Sequence, residues 1–325
     1  SVISPLKALE VHQLTTPKGI KVWFAPDKTV PVISMNYSFD NAGSAHEPQG
    51  KEGIAAVSAA MMTEGAGKLD ANALSEKLAE LAVGIGFGLD ADYFRGTFKT
   101  TSRTKTEAIA LLKDVLYKAL LPTDRLEILR QQALSGLHAS LKQPNYILGK
   151  TTRETLYAGH AYSRPADGTL ESLQSISRED IQAFLKTKLG RSNLRVSVCG
   201  NLTKDEVIAM VDSVFAGLPQ KAEIEPLPVM TTPFSGKTTV VTQDIPQSVC
   251  LFYHPGLNVD HKNYMALTLV TDILGGGFGS RLTEEVREKN GFAYTVSSFI
   301  SIKKKVASLG GFVGTENANV NKALD

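Results

Sequence analysis

The chain has 325 residues, 42% of them hydrophobic and 21% charged, and its 35 basic and 33 acidic side chains leave a formal net charge of +2. That balance, with no basic block beyond Lys303-Lys304-Lys305, excludes a protein built to bind nucleic acid; the lysine run reads as a solvated strand edge or turn. No apolar run approaches the roughly 20 residues of a membrane span, and the length argues for two domains, each able to bury a core.

The first residues, SVISPLKALEVHQL, carry neither the charged start nor the apolar stretch of a signal peptide, and no initiator Met, so a leading segment is expected to be missing. From residue 19, GIKVWFAP and VPVISMNYSFD alternate as two strands around a turn at Asp27-Lys28. A polar loop follows, then GIAAVSAAMMTEGAG from Gly53, small and apolar all round, which predicts a buried helix ended by Gly65 and Gly67. Asp70 caps a helix carrying Leu74, Leu78 and Leu81, and a strand pair runs to about Thr100. Helices are predicted over Thr104 to Leu121, where Pro122 ends the pattern, and over Thr123 to Gln143. After a loop at 159–169, Ser177 with Asp180 opens a helix through Leu189, LRVSVCG (194–200) is a buried strand, and Thr203 with Glu206 opens a helix ending near Gly217.

Residues 219–235 hold several prolines and little periodicity, as a linker would. Beyond them the pattern begins again. TTVVTQDIPQSVCLFYHP mirrors KVWFAPDKTVPVISMNYSF, and the helix-glycine-strand order around Leu282 mirrors that around Leu74, which marks a duplication. The domains expected are 1–218, a linker 219–235, and 236–325 as the first part of a second copy whose helical remainder would follow. Cys199 and Cys250 lie in apolar strand-like runs of different predicted domains and read as buried thiols, with a disulfide the alternative.

One stretch organises the second copy: GGGFGSRLTEEVREKNGFAYTV, 275–296. A glycine run leads into a short helix, and Asn290-Gly291 turns into a strand. The run is no phosphate cradle, because no GK[ST] closes it and the spacing is not GxGxxG. It does carry Arg281 at the start of the helix and Tyr294 at the strand. A guanidinium fork and a phenol suit gripping a peptide backbone, though the same residue types also suit a solvated helix residue and a half-buried strand aromatic.

Ser280-Arg281-Leu282 followed by Gly291-x-x-Tyr294-x-Val296 resembles the segment of the pitrilysin/insulinase family of zinc peptidases, which includes mitochondrial processing peptidase, whose Arg and Tyr contact substrate near the scissile bond. Gly168 to Asp180 and Asn193 to Gly200 match further family patterns, so the resemblance covers essentially the whole chain. In that family HxxEH on a helix of the first domain, with a Glu from a later helix, holds zinc and activates water. The matching positions here are Ala56, Ala59, Ala60 and, for the later Glu, Gly136. Alanine and glycine offer no ligand atom, and the six histidines contain no pair spaced i, i+4.

The resemblance therefore implies an α+β fold of two homologous, mitochondrial-processing-peptidase-like domains, each a mainly antiparallel sheet with helices on one face, the second incomplete in this chain. It implies an inactive peptidase homologue, the non-catalytic subunit of a heterodimeric metalloendopeptidase. No cofactor is expected on this chain; zinc would sit in a paralogous partner subunit, and Arg281 and Tyr294 would hold the peptide as donors to the tetrahedral oxyanion. The alternative is a non-enzymatic scaffold or peptide-binding homodimer of the same fold. The bacterial relatives point to the periplasm, with the cytoplasm as the alternative.

Overall fold

Alternation of apolar and polar side chains gives the N-terminal half a sheet with one face for a core and one for water. The computed structural model, which describes residues 10–230 and 236–325, places strands His12–Thr15 (β1), Lys21–Pro26 (β2), Val32–Asp40 (β3), Gly84–Leu89 (β4), Tyr93–Thr101 (β5) and Leu194–Gly200 (β6) in one sheet of order β1-β2-β6-β3-β5-β4. Neighbours are antiparallel except β2 with β6. Ile33, Met35, Tyr37 and Phe39 of β3 are buried. Beside the last three, in register, stand Phe98, Gly96 and Phe94 of β5 and Val198, Val196 and Leu194 of β6. The opposite face presents Arg95, Thr97, Lys99, Arg195 and Ser197 to water. Each large side chain buried in this layer contributes about 2 kcal/mol of transfer free energy.

Helices Ile54–Met61 (α1), Ala71–Glu80 (α2), Lys105–Tyr117 (α3), Thr123–Ser140 (α4), Pro144–Leu156 (α5), Leu170–Ser175 (α6), Arg178–Lys188 (α7) and Lys204–Phe215 (α8) follow. Phe184 of α7 lies 6.2 Å, ring centre to ring centre, from Phe94, and Phe215 of α8 lies 5.0 Å from Tyr37, so both helices pack on the apolar face. The starts are those the spacing predicts: Asp70 accepts from the Ala73 amide, and Ser177 with Asp180 and Thr203 with Glu206 form reciprocal capping boxes.

The chain divides into two units, one of residues up to Leu137 with Pro165–Pro226, the other of His138–Arg164 with Leu227–Asp325. A segment inside the expected 1–218 domain thus joins the second unit. It contains α5, for which no element was expected; its one signal was Pro144, suited to a first helical turn. Within this unit Lys303 places its ammonium 5.5 Å from the ring centre of Tyr157 and 5.3 Å from that of Tyr162, and the Lys305 amide donates to the Tyr162 hydroxyl. The lysine run is a turn as expected, but Lys303 is half-buried on aromatic rings rather than solvated.

Of the expected linker, residues 219–230 form no regular element and 231–235 lie outside the described residues, as do residues 1–9. The linker's start is tied to the first unit, the Arg191 amide donating to Pro219 and the Glu223 amide to Thr187.

The second unit carries strands Gln247–Pro255 (β7), Thr295–Lys303 (β8) and Val306–Glu316 (β9), antiparallel in the order β7-β9-β8, with helix Tyr264–Gly275 (α9) and a π-helix at Thr283–Lys289 between β7 and β8. The order β3-α1-α2-β4-β5 recurs as β7-α9-helix-β8-β9, offset by about 210 residues, as duplication predicts. Residues 238–241, the expected counterpart of β2, form no strand. β2 is held between β1 and β6, and the described residues of the second unit offer no such neighbours.

Candidate functional site

The glycine run closes a helix onto a strand. A side chain at Gly275 would collide with the backbone of Ser298, and the Ser298 hydroxyl donates to the Thr271 carbonyl at 2.8 Å, so α9 can lie this close to β8 only with glycine in its last turn. The next turn is braced from inside. The Ser280 hydroxyl donates to Thr283 Oγ1 at 3.0 Å and Thr283 Oγ1 to the Gly277 carbonyl at 3.1 Å, both side chains being buried. Leu282 and Val286 pack against buried Ala293, Val296 and Val313. With its neighbours turned inward, Arg281 is left exposed, and it makes no hydrogen bond or ion pair among the described residues. The π-helix that follows is a form that recurs at functional sites.

Gly291, at φ +61°, provides the left-handed turn that leads back to the sheet. The Tyr294 amide donates to the Gly314 carbonyl at 2.8 Å, and the buried Thr315 hydroxyl donates to the Phe292 carbonyl, so both sides of the loop are pinned to β9. Tyr294 stays 50% exposed. Its hydroxyl donates to Glu316 Oε1 at 2.7 Å. That bond to a carboxylate, above all other influences, pushes the phenol pKa above its ordinary value. Both predicted substrate-binding residues are therefore exposed on firmly held backbone, Arg281 at the start of a helix and Tyr294 at the entry to β8. Glu316 escaped the sequence reading because it lies 22 residues after Tyr294 and reaches it only across the β8–β9 pair.

The positions expected to match the family's metal ligands lie in the first unit. Glu47, itself buried, accepts from the amides of Gly53 at 3.0 Å and Ala55 at 2.9 Å and so anchors the start of α1. The helix buries Ile54, Ala55, Ser58, Ala59 and Met61. Ala56 is half-buried and Ala60 exposed, so α1 is not covered all round as its composition predicted. Gly136 of α4 is exposed too, and a side chain there would meet nothing. None of Ala56, Ala59, Ala60 and Gly136 has an atom able to ligate zinc, so these positions do not fit the metal. Among the described residues no cluster of three or more His, Cys, Asp or Glu side chains could hold one elsewhere. Cys199 and Cys250 are free thiols. No described helix is long and apolar enough to cross a membrane.

The described residues form two repeats of one α+β plan, with no zinc-ligating side chain at Ala56, Ala59, Ala60 or Gly136. Residues 175–325 match the family model described as the peptidase M16 inactive domain. A peptidase M16 inactive domain from Pseudomonas fluorescens is 26% identical and superposes with a TM-score of 0.88, covering 95% of this chain and 75% of that one. A protease from Helicobacter pylori shares the fold, with a TM-score of 0.84 over 97% of this chain and 78% of its own at 22% identity. Among curated relatives, the non-peptidase homolog YmxG of Helicobacter pylori is 25% identical over 96% of this chain and 72% of its own length. An uncharacterized zinc protease of Rickettsia felis is 23% identical over 80% of this chain and 62% of its own length. Through this family model, these relatives and these structures the chain is similar to inactive homologues of the pitrilysin/insulinase (M16) zinc peptidases.

Proposed function

We propose that this chain is the zinc-less subunit of a two-subunit metalloendopeptidase, supplying peptide-holding groups to a partner that carries HxxEH and its third ligand. The observation that carries this reading is the contrast between the two units. The first has alanine or glycine at each position expected to match a zinc ligand, while the second keeps Arg281 and Tyr294 exposed on backbone fixed by buried Ser280, Thr283 and Thr315. An unpaired guanidinium on a rigid turn is a preorganised donor for a peptide carbonyl and for the oxyanion it becomes on hydrolysis.

The test is cleavage of a quenched fluorescent peptide by the chain alone and after mixing with the HxxEH-bearing paralogue encoded nearest to it, with and without chelator. Activity in the mixture well above that of either chain alone, and abolished by chelator, is expected. A mixture no faster than the paralogue alone, with no complex on a sizing column, would replace this reading with a scaffold or peptide-binding homodimer.

A further inference from the structure

We propose that Glu316 is the positioning residue of Tyr294 and that it presents the phenol oxygen to a bound peptide as a hydrogen-bond acceptor. Tyr294 then reads a backbone N–H, and Arg281 alone donates to a carbonyl oxygen. The peptide in this inference rests on the complementing-subunit reading; the bond between the two side chains does not.

A phenol has one proton, and in Tyr294 it is spent on Glu316 Oε1 at 2.7 Å, within the range of charge-assisted bonds. What the oxygen offers outward is therefore its lone pairs. The carboxylate is set in place by backbone. Glu316 pairs with Gln247 at the end of β9, and the next residue staples that end to β7. The Asn317 side-chain amide donates to the Ile245 carbonyl at 2.7 Å, the Asn317 backbone amide donates to Pro246, and the Ser248 hydroxyl donates to Asn317 Oδ1 at 2.7 Å. One residue earlier, Thr315 holds the Phe292 carbonyl, so the tyrosine loop and the carboxylate are fixed to the same few residues of β9.

Glu316 is exposed and forms no ion pair among the described residues, so no cation offsets the carboxylate beside the phenol. That charge decides the polarity of the site. For Tyr294 to donate to a developing oxyanion, its proton would have to leave one carboxylate and the oxyanion would have to settle beside that carboxylate, which Coulomb repulsion opposes. A substrate N–H meets no such penalty, because the carboxylate makes the phenol oxygen a better acceptor. A peptide backbone offers N–H groups and carbonyls, and Tyr294 as acceptor and Arg281 as donor suit one kind each.

The first arm of the test needs no partner. In protein carrying ring-labelled tyrosine, with the Tyr294 signal assigned by its loss in Tyr294→Phe, the phenol is expected to titrate above the ordinary tyrosine range, and in Glu316→Gln to return toward that range. An unmoved Tyr294 signal in Glu316→Gln would overturn the proposal.

The second arm uses the assembled pair. Glu316→Gln is expected to raise KM about tenfold with kcat held within about twofold, and to add nothing in a Tyr294→Phe background, since the two act as one unit. A fall in kcat at constant KM, or additive effects of the two substitutions, would overturn the acceptor role. A wild-type pair without activity would sink the complementing-subunit reading and the peptide with it, while the titration would still decide whether Glu316 holds the phenol.

Discussion

Gly96 of β5 stands directly across from Tyr37 of β3, and the phenol ring occupies the space that any side chain at position 96 would need. This glycine is required by packing, since its backbone is ordinary strand. Gly96→Ala is expected to cost about 3 kcal/mol by overpacking, read as a fall in the denaturant midpoint. Combining it with Tyr37→Leu should cost less than the sum of the two single changes, because the smaller side chain makes room; additive losses would show that the ring is not the obstacle.

The same ring carries a hydroxyl that is fully buried and has no hydrogen-bond partner among the described residues, and burial pushes its pKa far up. A lone buried hydroxyl costs free energy that a phenyl ring of the same shape does not. Tyr37→Phe is therefore expected to stabilise the protein by about 1 kcal/mol in urea unfolding. A loss of stability would place a buried water on the hydroxyl.

Much of the first unit was legible because its signals are local. Alternation in β3, β5 and β6 and the capping boxes at Ser177 and Thr203 are read over a few residues and appear where expected. Legibility failed where a neighbour distant in sequence decides the outcome. Residues 238–241 have a strand's composition but no partner strand in the described residues. The edge of α1 at Ala56 and Ala60 is apolar yet only partly covered, and Tyr157 and Tyr162, which follow α5, meet Lys303 in contacts that no periodicity encodes. At the candidate site the residue types at 281 and 294 were visible, while the carboxylate that sets the polarity of Tyr294 becomes visible only once the β8–β9 register is known.

Asp180 supports a pH prediction. Burial raises its carboxyl pKa, but the Lys51 ammonium at 2.7 Å and two bonds with Ser177 outweigh burial and hold it below the ordinary value. A carboxyl depressed in the folded state adds stability above its unfolded pKa of about 3.9, and that stability is lost as the pH falls through the folded value. Asp180→Asn should thus lower Tm by roughly 2–4 °C at pH 7, for a loss of about 1 kcal/mol, with the gap to wild type closing below about pH 4. A gap that persists unchanged at low pH would mean that the charge is not what Asp180 contributes.

In the complementing-subunit reading Arg281 acts on chemistry rather than stability, because it is exposed and makes no hydrogen bond or ion pair among the described residues. In the assembled pair Arg281→Ala is expected to lower kcat about 100-fold, the usual loss for one oxyanion donor, with unfolding of the chain unchanged. Arg281→Lys should recover only part of that, since an ammonium lacks the planar fork. Full activity in Arg281→Ala would remove this residue from the mechanism.

The positions expected to match zinc ligands can be tested directly. Ala56 and Ala60 lie one turn apart on the less covered edge of α1, and Gly136 has open space before it, whereas Ala59 is buried at 7% exposure. Two imidazoles at i, i+4 with a carboxylate from a second helix form a three-ligand zinc set. If only the ligand atoms are missing, Ala56→His/Ala60→His/Gly136→Glu should fold and bind zinc or cobalt, the latter giving a visible ligand-field band, while Ala56→His/Ala60→His alone should bind more weakly. Adding Ala59→Glu buries a carboxyl and is expected to cost about 3 kcal/mol of stability before any hydrolysis could be seen. A triple variant that folds but binds no metal would show that the spacing of α1 and α4, as well as the ligands, has departed from that of a zinc peptidase.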